Sequence, residues 1–336
     1  MVEQQLSAED TVLVTGGTGF TGSVLVRRLC ELGCRVRVLA RASSSREPLT
    51  GLPVEWVSGE VYDTDAVEKA AVGVNYIFHV AAAYREASIA DEVYHNVHVV
   101  STQLLVGVAC KLPNFKRFVH VSTVGVMGHI ENPPADELTR YNPGDVYQET
   151  KTVAEKWVIE FSQKNNFPVT IIRPAAIYGP GDRRLLKVFK MAKMPIVPVI
   201  GFTKGLYHLI HVEDLVGFML AAATTEGAIG QIYICGNPHA ISIKDIIKVI
   251  ADRLGRKPRF FRVPATPFFL LGDVCELVCK PFGIEPPIYR RRVAFFTKDR
   301  SFNTKKIRDE LPYQYVYSNE SGLKATADWY VSNKWL

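Results

Sequence analysis

Apolar and polar positions fall into two rhythms over the first half of the chain. Short β-branched or apolar runs stand at Thr11–Val14, Arg35–Ala40, Val54–Ser58, Asn75–Ala83, Phe115–Ser122 and Val169–Arg173. Each is four to nine residues long, the size of a buried strand. Between them lie stretches that read as helices: Ser23–Leu32, Asp63–Val72, Ile89–Lys111 and Asp145–Lys164. In the first, Val24, Leu25 and Leu29 share one face and Gly33 offers a C-terminal stop. Asp63 is placed to cap the second. Strand and helix alternating with short connections predict an α/β protein built on a doubly wound parallel sheet, covered on both faces.

Beyond Pro174 the rhythm breaks. Tyr178-Gly-Pro-Gly-Asp182 is a turn, and a basic helix is expected over Arg183–Lys193. Strands are expected at His208–Val212, Gln231–Cys235 and Pro258–Arg262, with helices at Glu213–Thr224 and Ser242–Leu254. The expected organisation is a frayed N-terminus (1–10), a nucleotide-binding unit carrying the catalytic residues (11–177), and a smaller mixed α/β lobe (178–336). Some of the lobe's segments would return to the sheet. In this class ligands bind at the carboxyl ends of the strands, under such a lobe.

Composition changes this picture little. The 336 residues are 47% hydrophobic and 22% charged, ordinary for a globular enzyme. The formal charge of +6 is spread out; only Arg290–Arg292 is dense, so no nucleic-acid partner is expected. The six cysteines lack metal-ligand spacing, and Cys275 and Cys279, one helical turn apart, read as packing residues. No secretory leader pattern opens the chain, so a cytoplasmic location is expected. The most apolar stretch, Val263–Phe282, carries Asp273, Glu276 and Lys280; it reads as an amphipathic lid or surface helix.

The first strand runs into Gly16, Gly19 and Gly22 and then a helix. Glycines there let backbone approach a pyrophosphate, and the free N–H groups of the helix start point at it. This is the dinucleotide-binding turn of a Rossmann-type sheet. An NAD site places an acid at the end of the second strand for the ribose 2′-OH. Here that strand ends Leu39-Ala40-Arg41, with no acid and a cation suited to a 2′-phosphate. The expected cofactor is therefore NADP(H), ahead of NAD(H).

Tyr147 and Lys151 stand four apart at the start of a predicted helix, one turn apart on one face. A free phenol has a pKa of about 10, and a neighbouring ammonium favours phenolate. The pair follows a strand ending in Ser122-Thr123.

With these residues the chain resembles the extended short-chain dehydrogenases/reductases, the superfamily that includes nucleotide-sugar epimerases and dehydratases. The matching motifs are Thr15-Gly-Gly-Thr-Gly-Phe-Thr-Gly22, His79-Val-Ala-Ala82, Ser122-Thr123, Tyr147-x-x-x-Lys151, Arg173-Pro174, Tyr178-Gly-Pro-Gly-Asp182 and His211-Val-Glu-Asp214. The resemblance implies that Tyr147 is the general acid/base, Lys151 its activator and Thr123 the hydroxyl that orients the reacting oxygen. Asn96 matches the family's helix asparagine. The cofactor would be held by Gly16, Thr18, Gly19, Phe20, Thr21, Gly22 and Arg41, with Val61, Ala81, Ala82 and Ala83 on the adenosine side. Tyr147, Lys151, Pro174 and Ile177 would meet the nicotinamide half.

Two departures narrow the branch. Nucleotide-sugar members usually carry an asparagine where this chain has Ala176. They also commonly carry an arginine shortly before the His-Val-x-Asp motif, where this chain reads Tyr207-His-Leu-Ile-His211; Arg183, Arg184 and Lys187 are the cations that could substitute for these two diphosphate contacts. The apolar segment 264–282, and a tail with Ser301–Lys306, Glu310–Tyr313, Glu320–Gly322 and Asp328–Tyr330, resemble the 3β-hydroxysteroid dehydrogenase and dihydroflavonol reductase branch. That resemblance implies an oxidoreductase acting on a ketone or secondary alcohol of a bulky apolar substrate, sterol-like, lipid-like or aromatic polycyclic. It also implies peripheral membrane contact through 264–282 and a homodimer. The alternatives are a nucleotide-sugar epimerase or dehydratase with tightly held NAD, and an inactive NADP-sensing scaffold.

Overall fold

The protein is described by a computed structural model covering residues 6–83, 90–200, 205–279 and 299–336. The chain opens with β1 (Thr11–Thr15), all buried, followed by α1 (Phe20–Glu31), β2 (Arg35–Ala40) and β3 (Val54–Ser58). Helix α2 (Thr64–Ala71) starts at Asp63, whose carboxylate accepts the Asp65 and Ala66 N–H groups. Then come β4 (Tyr76–His79), α3 (Asp91–His95), a π-helical stretch at Asn96–Val100, and α4 (Ser101–Ala109). Strand β5 (Arg117–Val121), the long α5 (Val146–Asn165) and β6 (Val169–Pro174) complete the alternation.

The second region contributes β7 (Ala176–Tyr178), α6 (Leu186–Met191), β8 (Ile196–Ile200), β9 (Leu206–Tyr207), β10 (Leu209–His211) and α7 (Val212–Thr224). After these come β11 (Ile232–Cys235), β12 (Ile241–Ser242), α8 (Ile243–Arg253), β13 (Arg259–Val263) and α9 (Thr266–Cys279). The chain closes with α10 (Lys305–Glu310) and α11 (Asn319–Ser332).

Seven parallel strands form one sheet in the order β11-β6-β5-β4-β1-β2-β3. The order in which strands are added reverses between β1 and β4, and at such a switch point a doubly wound sheet binds its ligand. One face packs under α1 and α7, through Leu25, Leu29, Leu215 and Phe218. The other packs under α2, α4 and α5, through Val67, Leu105 and Val158. Apolar burial on both faces explains why β1, β4 and β5 read as continuous apolar runs. Beyond the sheet, α6, α8 and α11 share a separate core built on Phe189, Ile247, Ile250, Leu323 and Tyr330. Strand β11, from the second region, pairs with β6.

Several boundaries differ from expectation, each for a physical reason. Helix α1 begins at Phe20 rather than Ser23, because extended Gly19 serves as its N-cap. The helix expected over Ile89–Lys111 is interrupted by the π-helical stretch, while its first residue lies outside the described residues. The helix expected over Arg183–Lys193 is confined to α6: the Asp182 carboxylate takes the Arg184 and Leu185 N–H groups and holds that segment as a turn. Strand β8 and helices α10 and α11 were not foreseen as elements. The Arg290–Arg292 cluster and the end of segment 264–282 lie outside the described residues.

Candidate active site

The parallel sheet aligns the carboxyl ends of its strands, and the predicted site residues lie along that edge. Gly16 follows β1, and Ala81–Ala83 follow β4 across the crevice. Arg41 follows β2, Val61 comes just after β3, Thr123 after β5, and Pro174 ends β6.

The glycine loop is shaped by close approach. Gly16 has φ +70°, and a β-carbon there would lie 2.8 Å from the Ala81 backbone. A β-carbon on Gly22 would lie 2.0 Å from the Gly16 carbonyl oxygen. Helix α1 therefore starts as near to the β1 turn as backbone allows. No side chain caps it and its first turn holds no acid. An uncapped helix start at a sheet crevice fits an anionic pyrophosphate. Gly19 is exposed, and Thr18, Phe20 and Thr21 are partly so. Ala81 and Ala83 are buried, Ala82 exposed, and Val61 buried in the core under α2. Arg41 is exposed, its carbonyl accepting the Ser44 N–H at 3.0 Å. Behind the crevice, His79 bonds Thr15 Oγ1 at 2.8 Å and Ser101 Oγ at 3.1 Å. Burial lowers the His79 pKa to about 3, so this brace stays neutral.

Tyr147 is the second residue of α5, after Asp145, whose carboxylate accepts the Gln148 N–H at 2.9 Å. The helix start itself favours a phenolate there. One turn on, Lys151 is buried and its ammonium donates to the Val121 carbonyl, at the end of β5, at 3.0 Å. Burial lowers its pKa to about 8, opposed by the Glu155 carboxylate. Thr123 caps the short 3-10 turn Val124–Met127, its Oγ1 accepting the Gly125 N–H at 3.0 Å. That leaves its hydroxyl hydrogen to donate elsewhere. Asn96, half-buried, opens the π-helical stretch; such stretches recur at functional sites.

Two features escaped the sequence reading. His98, in the π-helical stretch, accepts the Ala83 N–H on Nε2 at 3.1 Å and bonds Thr150 Oγ1 through Nδ1 at 2.8 Å. Nε2 as acceptor puts the proton on Nδ1. Its ring meets Tyr147 edge-on, centroids 5.2 Å apart. His98 thus ties the wall after β4 to the helix carrying Tyr147. The other feature is a buried network around Glu155, one turn beyond Lys151. Glu155 pairs with Arg173 at 2.5 Å, both side chains at most 1% exposed. It also accepts from Ser122 Oγ and, at 2.8 Å, from the Tyr141 hydroxyl. Ser122 precedes Thr123 and Arg173 precedes Pro174, so one carboxylate anchors two edges of the site.

On the substrate side, Ala176 and Ile177 lie half-buried in β7, paired with Leu209 and Ile210. Tyr207 is buried, and the C-terminal segment brings Arg300 to it, Nη1 to hydroxyl 3.2 Å. A cation therefore stands beside Tyr207, although no arginine immediately precedes the His-Val-Glu-Asp motif.

Over residues 12–236 the sequence matches the model of a family described as NAD dependent epimerase/dehydratase. The chain belongs to this family. As an extended short-chain dehydrogenase/reductase it is an NAD(P)-dependent enzyme of the oxidoreductase type. Among its relatives is a 3 beta-hydroxysteroid dehydrogenase/Delta 5→4-isomerase of Mycobacterium tuberculosis, 30% identical over 96% of this chain and 90% of that one. Another is the decarboxylating sterol-4-alpha-carboxylate 3-dehydrogenase erg26 of Schizosaccharomyces pombe, 28% identical over 97% and 98%. Among solved structures, gox2253 superposes with a TM-score of 0.81 at 28% identity, covering 97% of this chain and 99% of that one. A UDP-glucose 4-epimerase of Thermotoga maritima superposes at 0.75 with 20% identity, covering 96% and 99%, a likeness of fold alone. The tight glycine turn and the uncapped start of α1 fit the pyrophosphate of the family's nucleotide cofactor.

Proposed function

We propose that this chain is an NADP(H)-dependent oxidoreductase interconverting a ketone and a secondary alcohol on a bulky apolar substrate. The observation that carries the reaction type is the placement of Tyr147 at the start of α5, one helical turn before buried Lys151, whose ammonium is held at the end of β5. A bound NADPH supplies the hydride, and NADP accepts it in the reverse direction. Tyr147 gives the proton to the substrate oxygen on reduction and takes it back on oxidation. The Lys151 ammonium stabilises the phenolate that results. Thr123 donates its hydroxyl hydrogen to the same oxygen and fixes its direction. Asn96 takes the place of the family's helix asparagine, and His98 ties the wall after β4 to α5. Gly16, Thr18, Gly19, Phe20, Thr21 and Gly22 would hold the pyrophosphate, Arg41 the 2′-phosphate, and Val61 with Ala81–Ala83 the adenosine. Pro174 and Ile177 would flank the nicotinamide.

The apolar substrate class is supported by the sterol and hydroxysteroid relatives and by Ala176 at β7. Helix α9 adds to it: Leu270, Leu271, Val274, Leu277 and Val278 lie within one arc and are all exposed. This outward face suits peripheral contact with a lipid surface that stores such substrates. Among the described residues no helix is long and apolar enough to cross a membrane. A homodimer through α3, α4 and α5 is supported by exposed Val93 and Val153; a monomeric mass in solution rejects it.

One observation favours a nucleotide-sugar substrate instead, namely Arg300 beside Tyr207. Cofactor exchange separates the two readings. Free exchange of NADP(H) in each turnover fits the oxidoreductase. NAD retained through turnover of a UDP-sugar, with no net redox change, replaces it with the epimerase.

A further inference from the structure

The turn after β7 delivers a cation from the second region to the dinucleotide loop. Asp182, 1% exposed at its side chain, takes the Arg184 Nε–H at 2.7 Å. The Arg184 Nη2 donates to the Ile177 carbonyl at 3.0 Å. So fixed, the guanidinium carbon lies 5.3 Å from the ring centroid of Phe20. Phe20 is the first residue of α1, directly after its Gly19 cap. Asp182 pairs with this cation while its two oxygens also accept the Arg184 and Leu185 backbone N–H groups, and the guanidinium keeps its remaining N–H donors for a further acceptor. The Tyr330 hydroxyl donates to the Asp182 carbonyl and fixes the turn from α11. The Arg184 side chain remains 38% exposed. A guanidinium carries five N–H donors in a planar fork that matches phosphate oxygens.

We propose that Arg184 is a pyrophosphate clamp, reaching from the second region over the start of α1 to complete the anion site that the glycine loop begins. The proposal rests on the NAD(P)-binding reading of Gly16–Gly22. The physical case has two parts. The helix start supplies partial positive charge and backbone N–H groups, but no full charge. Among the residues of the loop itself, Thr15–Gly22, none is cationic. Arg184, already ion-paired with Asp182, adds guanidinium N–H donors at the site's rim, in an orientation set by Asp182 and Ile177, so little side-chain freedom is lost on binding. An arginine serving only to brace Asp182 would not need to lie against the first residue of α1. The clamp also makes cofactor binding depend on the turn after β7, since Arg184 comes from the second region and the glycine loop from the first.

The test is calorimetric titration of the full chain with NADP, NAD and adenosine 2′-monophosphate, for wild type, Arg184→Met and Arg184→Gln. Met keeps an apolar stem against Phe20, and Asp182 keeps its two backbone donors. Both variants are expected to lower the unliganded melting midpoint, because buried Asp182 loses its ion partner, and to remain folded at the titration temperature with the far-UV circular dichroism spectrum of wild type. Each is expected to weaken NADP and NAD by the same factor, about tenfold or more, because the pyrophosphate is common to both. Adenosine 2′-monophosphate, which has no pyrophosphate, is expected to bind as to wild type. The clamp is overturned if dinucleotide affinity is unchanged in both variants, or if the loss is confined to NADP. A wild type that prefers NAD, with an equal loss on both dinucleotides in the variants, removes the 2′-phosphate role of Arg41 and keeps the clamp.

Discussion

The His98 ring stands edge-on to the Tyr147 ring, centroids 5.2 Å apart, while its two nitrogens join the Ala83 N–H to the Thr150 hydroxyl. The phenol ring therefore packs against a side chain two residues beyond Asn96 that belongs to none of the matched motifs. His98→Ala leaves a buried N–H on Ala83 without its acceptor, a loss of about 1–3 kcal/mol in stability. Turnover is expected to fall at least tenfold at 25 °C, with dinucleotide affinity reduced less. Full turnover in a variant of native stability would show that His98 only fills space.

Lys151 carries a sign that can be checked. Its folded pKa of about 8 lies below its ordinary value of 10.5, with burial the cause. Between these values the unfolded chain holds a proton that the folded chain does not, so stability from this group rises with pH across that window. Below pH 8 both states are charged and the burial cost is present in full. The unliganded wild type is expected to gain stability from pH 8 to 10.5 relative to Lys151→Met. Parallel curves in chemical denaturation at the two pH values would contradict this.

The Glu155–Arg173 pair sits at the hub of the site's second layer. Removing one partner leaves a buried charge uncompensated, at a cost of about 3–5 kcal/mol. Glu155→Gln and Arg173→Met are each expected to lose stability of that order, and the double variant less than their sum. Strict additivity in a double-mutant cycle would show that the two side chains act separately.

Arg41 is expected to set the NADP-to-NAD ratio rather than binding as such. Arg41→Ala should weaken NADP about tenfold or more and leave NAD nearly unchanged. Equilibrium titration with both dinucleotides checks it; an unchanged ratio would remove the 2′-phosphate role.

What the sequence made legible is local. The turn Gly16–Gly22 declares itself because backbone approach admits only glycine at Gly22, against the Gly16 carbonyl. Tyr147 and Lys151 are readable as a pair because one helical turn separates them. The doubly wound sheet follows from apolar runs of strand length alternating with helical periodicity. Features that depend on distant partners were not legible. Glu155 and Arg173 lie 18 residues apart and meet only because α5 packs against β6. Arg300 reaches Tyr207 across 93 positions. His98 is one histidine in an apolar helix until Ala83 and Thr150 close around it. The stretch Val263–Phe282 reads as an amphipathic lid or surface helix, and within it α9 spans Thr266–Cys279 with its apolar face exposed. The start of α1 was placed late because Gly19 caps through backbone shape and not through a capping side chain.

The central claim is a redox reaction with Tyr147 as the proton donor. NADPH consumption, followed by its absorbance with a panel of ketosteroids and other bulky ketones, tests it most directly in wild type and Tyr147→Phe. The account predicts steady consumption by wild type on at least one such ketone, and loss of about a hundredfold or more in Tyr147→Phe with NADPH affinity within a few-fold of wild type. Comparable turnover by the Phe variant, or a wild type that oxidises no NADPH on any ketone while interconverting UDP-sugars, would contradict it.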